Sequence, residues 1–96
     1  MAIEKYLAEL EGNPRDVRFA HLVRICQEIF GNPRMKGSHH IFKMPWPGDP
    51  RINLQEDKRN KGKALPYQVK QVISALRKMQ EAQRGEAKGE ANYVSE

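Results

Sequence analysis

A chain of 96 residues with one cysteine, Cys26, has room for one small core and cannot close an internal disulfide, so apolar packing must hold it together and a reducing cytoplasmic setting is expected. No apolar run approaches the ~20 residues a membrane helix needs, and Met1-Ala2-Ile3-Glu4-Lys5 lacks the basic-then-apolar layout of a secretory leader, so neither membrane insertion nor export is expected. The net charge of +5 comes from 17 basic and 12 acidic residues, and the excess is confined to the central third. Residues 34 to 63 hold Arg34, Lys36, Lys43, Arg51, Lys58, Arg59, Lys61 and Lys63 against Asp49, Glu56 and Asp57, while the flanks are near neutral. A localised basic patch suits a polyanionic partner, and a solvated lysine-rich surface explains the same charge equally well.

Ile3, Tyr6, Leu7 and Leu10 follow the spacing of a short amphipathic helix that stops at Gly12-Asn13-Pro14. It is expected to sit loosely on the rest. Phe19, Leu22, Val23, Cys26, Ile29 and Phe30 form the stripe of a second helix, with Asp16 as the expected N-cap and Gly31 at the far end. The period then changes from 3.6 to 2. From His39 to Met44, alternation sets His40, Phe42 and Met44 against His39, Ile41 and Lys43, and Arg51 to Gln55 sets Ile52 and Leu54 against Arg51, Asn53 and Gln55. Two strands are expected there, with an edge strand over 33 to 36 and a Pro-rich loop, Pro45 to Pro50, as the hairpin connection. Val69, Val72, Ile73, Leu76 and Met79 mark a third helix opened by Pro66, and the Glu, Ala and Gln-rich stretch beyond Met79 reads as a frayed end and flexible tail. The domain plan is a helical extension over 1–12, a folded domain over 13–80 and a tail over 81–96. The fold class is α+β, helix-strand-strand-strand-helix with an added N-terminal helix, both main helices covering one face of a three-stranded antiparallel sheet.

The alternation separates the three histidines. His21 falls on the polar side of its helix and is expected in solvent, and His40 shares a face with Phe42 and is expected as a part-buried structural ring. His39 points to the open face beside Ser38, Lys36 and Lys43, which makes it the candidate catalyst, since imidazole exchanges protons near neutral pH and lysines supply a field for an anionic substrate. Adjacent strand histidines face opposite ways and no Cys/His or carboxylate cluster accompanies them, so no metal site and no cofactor are expected.

The run Lys36-Gly37-Ser38-His39-His40-Ile41-Phe42-Lys43, then Ile52-Asn53-Leu54-Gln55, then Lys61-Gly62-Lys63-Ala64-Leu65-Pro66-Tyr67-Gln68-Val69-Lys70-Gln71-Val72, together with Val17-Arg18-Phe19, resembles the HicA family of toxins from bacterial toxin-antitoxin pairs. The likeness spans roughly residues 16 to 79, and its motifs occur in the family's order. It implies a double-stranded-RNA-binding-domain-like fold, cleavage of messenger RNA as an endoribonuclease, one essential histidine carried over to His39, and neutralisation by a HicB-type antitoxin. Under that reading Gly37, Ser38, Lys36 and Lys43 support His39, while Arg51, Asn53, Lys58, Arg59, Lys61 and Lys63 hold RNA phosphates. The chain departs from the family in its first helix, its tail and its longer Trp46-Pro47-Gly48 hairpin, where Trp46 is expected to pack against the sheet rather than stack on a base. An RNA-binding module of the same fold that cuts nothing is the alternative. The two differ only in product formation.

Overall fold

The computed structural model describes the backbone of residues 2–95 and the side chains of residues 2–84. Helix α1 spans Ala2–Gly12 and α2 spans Phe19–Phe30. Strands β1, Arg34–Lys36, β2, His39–Phe42, and β3, Ile52–Leu54, follow, and α3 runs Pro66–Ser95. The sheet is antiparallel in the order β1-β2-β3. The chain is thus a small α+β fold of three helices and a three-stranded antiparallel sheet.

Pairing of Phe42 with Ile52 and of His40 with Leu54 fixes the register, and with it which side chains face the helices. Phe42, Ile52 and Leu54 are buried on that inner face beneath Leu22, Ile25 and Cys26 of α2 and Val69, Val72 and Leu76 of α3. Burial pushes the Cys26 thiol up to about 12, so it is a small core residue and not a nucleophile. Gln68, the buried polar side chain of the core, accepts the backbone N–H of Gln55 at 3.0 Å and so pins the first turn of α3 to the end of β3.

Three expectations are corrected. Helix α1 is not loosely attached: Ile3, Leu7 and Leu10 are buried in the common core, Arg77 of α3 pairs with Glu11, and His21 of α2 bonds to Glu9. His21 is therefore a clasp between two helices instead of a free surface ring. Asp16 does not cap α2, whose N-cap is Arg18 without a side-chain cap bond, because its carboxylate is taken by Lys63. The backbone of α3 continues through Ser95, across the stretch read as a frayed helix end and tail. Glu, Ala, Gln, Lys and Arg all favour helix and the stretch contains no proline; the side chains from residue 85 onward lie outside the described residues.

The connection from β2 to β3 is anchored by Trp46, against α2 and α3 and not against the sheet as expected. The Trp46 indole N–H donates to the Pro50 carbonyl at 2.9 Å, and its ring meets Phe30 edge-on at 6.0 Å with the Lys78 ammonium 5.0 Å from its centroid. Trp46 is half-buried in this position. Among the described residues, no helix is long and apolar enough to cross a membrane.

Candidate functional site

The Lys36-Gly37-Ser38-His39 motif is a two-residue hairpin. Gly37 has φ 60° and, among the described residues, only glycines have a positive φ, so the turn carries its glycine at the first central position, the pattern of a type II′ connection that matches strand twist. Its consequence is placement. Lys36 and His39 become direct cross-strand partners, and side chains so paired stand about 5 Å apart at Cβ.

His39 is part-exposed on the open face, and its Nδ1 lies 2.9 Å from the Asn53 amide oxygen. An amide oxygen only accepts, so Nδ1 carries the proton and Nε2 is left as the basic nitrogen. Asn53 thus fixes both the tautomer and the ring direction. It is the diagonal neighbour of His39, since Asn53 itself pairs with Ile41 in the ladder. Next to this dyad the Gln55 amide donates to Ser38 Oγ at 3.4 Å, which leaves the serine hydroxyl proton free to point outward. His40 behaves as expected: its ring faces inward, edge-on to Phe19 at 5.2 Å, with Nδ1 buried and unbonded.

An open cleft of about 400 Å³ adjoins Ser38 and is lined by Phe19, His40, Gln55, Lys58 and Lys61 as well. Its basic rim is held in shape by its own acids. Asp57 accepts the Arg59 N–H at 2.9 Å and the Asn60 amide at 3.4 Å, and Glu56 accepts the Gly62 N–H. Those bonds, led by that of the Arg59 backbone, hold the Asp57 carboxyl below its usual range. The loop is also sewn to the start of α2, with Phe19 N–H donating to the Gly62 carbonyl at 2.9 Å and Ala64 N–H to that of Val17 at 2.8 Å. Lys58, Arg59 and Lys61 stay exposed on a braced loop.

Two residues expected in the site are elsewhere engaged. Lys63 pairs with Asp16, an interaction that lowers the Asp16 pKa chiefly through the hydrogen bond itself, so Lys63 holds the loop rather than offering a free ammonium. Lys43 lies past the end of β2, four residues from His39 and so about 13 Å along the strand, beside Ile29, Phe30 and Met79. The backbone does not bring it to His39. Arg51 and Asn53 do line a shared cleft, but on the other side of the dyad, with Tyr67 and Lys70 of α3. The strand pattern could not reveal those last two, nor the role of Asn53, because both depend on the register and on where α3 docks. Among the described residues, no group of three or more His, Cys, Asp or Glu side chains is placed to hold a metal ion.

No protein-family model matches the chain, and neither a curated protein nor a solved structure matches it.

Proposed function

We propose that the chain is an endoribonuclease of the HicA toxin kind, with a double-stranded-RNA-binding-domain-like fold, that cleaves messenger RNA with His39 and is restrained by a HicB-type antitoxin. The observation that carries the reading is the His39–Asn53 pair on an open sheet face, opposite Lys36 and beside an exposed basic loop. A general base needs one nitrogen free to take a proton, and the Asn53 bond to Nδ1 leaves Nε2 in that state.

In the proposed reaction, Nε2 of His39 takes the proton of a ribose 2′-hydroxyl. The 2′-oxygen forms a bond to the adjacent phosphorus as the bond to the 5′-oxygen breaks. The products are a 2′,3′-cyclic phosphate and a 5′-hydroxyl, the departing oxygen taking its proton from water. Lys36 offsets the charge that builds on the phosphoryl oxygens, and the Ser38 hydroxyl donates to one of them. The supporting cation is Lys36 alone, since Lys43 is remote. Lys58, Arg59 and Lys61 hold flanking phosphates, which ties affinity to salt concentration. One positioned acid-base group contributes about 10² to 10⁴ in rate, so the enzyme is slow, which is sufficient for arresting growth.

Purified protein incubated with RNA, with and without a chelator, tests the reading on a gel. Wild type and His40→Ala should yield cyclic-phosphate ends in both conditions, and His39→Ala should yield none while melting like wild type. Intact RNA with wild type would leave the binding module as the better description.

A further inference from the structure

Beyond the dyad, on the side away from the Lys58–Lys61 loop, lies an open cleft of about 470 Å³ between the edge strand β3 and the first turns of α3. That size falls within the ~300–1,000 Å³ span of small-ligand sites. Arg51 and Asn53 contribute one wall and Tyr67, Lys70 and Gln71 the other; Asp49 is the one acid along it. Tyr67 is 59% exposed, and with Met35 it is one of two large hydrophobic side chains left in solvent among the described residues. An apolar ring costs free energy in water, and a domain of this size gains by covering it. This one stays open, and it is also oriented. Its hydroxyl accepts from the Gln68 amide at 3.3 Å, and Gln68 is the residue that clamps α3 to β3.

The geometry points to a nucleotide subsite in which Tyr67 stacks on an unpaired base while Arg51 and Lys70 take the neighbouring phosphates. It rests on reading this face as RNA-binding. Three features support it together. Stacking needs a flat ring with a free side and no particular base, which an exposed, fixed tyrosine supplies. Cations on both walls suit a chain with one charge per residue. Asn53 belongs at once to the cleft and to the His39 pair, so a base seated here continues the backbone held at the site of cleavage. A single strand then runs from the Lys58–Lys61 loop, over His39, to Tyr67. The polarity of that path is set by which side of the cleaved bond carries the stacked base.

The test is binding of a single-stranded 2′-O-methyl oligonucleotide, which lacks the attacking hydroxyl and is not cut, against a chain of equal length and charge whose sugars bear no bases. Tyr67→Ala should weaken binding of the base-bearing chain roughly 5- to 100-fold and leave the abasic chain unaffected. Tyr67→Phe should bind both as wild type does, since it keeps the ring and drops one long hydrogen bond. Lys70→Gln should weaken both chains alike and reduce the salt slope by about one. Equal affinity of wild type and Tyr67→Ala for the base-bearing chain, or an equal loss on the abasic chain, overturns the subsite. The nuclease reading is scored apart, by RNA cleavage with the wild-type protein: base-dependent binding without cleavage keeps the cleft and rejects the nuclease, and cleavage with base-blind binding does the reverse.

Discussion

Replacing Asn53 with alanine removes the oxygen that holds the Nδ1 proton of His39, and it does so at an exposed position where stability should scarcely change. The bond is neutral and open to solvent, so its net contribution is about 0.5–1.5 kcal/mol. Spent on tautomer and ring direction, that energy corresponds to a loss of roughly 2- to 12-fold in the cleavage step, well below the ~10²–10⁴ expected for His39→Ala. Single-turnover cleavage of labelled RNA at saturating enzyme reads this step apart from binding, which matters because Asn53 also lines the Tyr67 cleft. If Asn53 acts only through the imidazole, then adding Asn53→Ala to His39→Ala should slow the residual reaction no further. A further loss in the double variant, or a single-variant defect as deep as that of His39→Ala, would show Asn53 touching substrate and refute the argument from tautomer control.

Three other outcomes are expected. Leu10→Ala, at a fully buried position of α1, should lower unfolding free energy by about 2–5 kcal/mol in chemical denaturation, and a change under about 1 kcal/mol would return α1 to the status of a loose appendage. Lys61→Gln should reduce the salt slope of RNA binding by about one while Lys63→Gln leaves it unchanged, because the Lys63 ammonium already neutralises Asp16; equal effects would mean that the ion pair opens on binding. Asp16 and Asp57 both titrate below their ordinary value of 3.8 in the folded state, so their stabilisation is complete above that pH and is lost as the pH falls through the lowered folded values. Acid unfolding followed by circular dichroism should accordingly shift in Asp16→Asn, whose profile flattens below pH 3.8; an unchanged acid limb would remove the pair from the account.

Local patterning was enough to set the elements and the faces. The change from period 3.6 to period 2 between Phe30 and His39 located the sheet, and alternation alone sent His39 outward and His40 to the face of Phe42, because side chains on a pleated strand have no other choice. The side of the sheet that His39 takes was thus legible in the sequence. The partners of His39 were not. Whether Asn53 or another open-face residue reaches its ring turns on register, and register across the long Met44 to Arg51 connection is set by how Phe42, Ile52 and Leu54 fit beneath two helices. The fates of Lys43, Lys63 and Tyr67 were hidden for the same reason. A charge or a ring reads alike in sequence whether it is free, paired or part of a cleft, and it was the docking of α3 on β3 through Gln68 and the bracing of the loop by Asp16, Glu56 and Asp57 that decided among those roles. Sequence sets what each segment is, since that depends on neighbours a few residues away; tertiary structure alone sets which distant side chains share a site, since that depends on how whole surfaces fit.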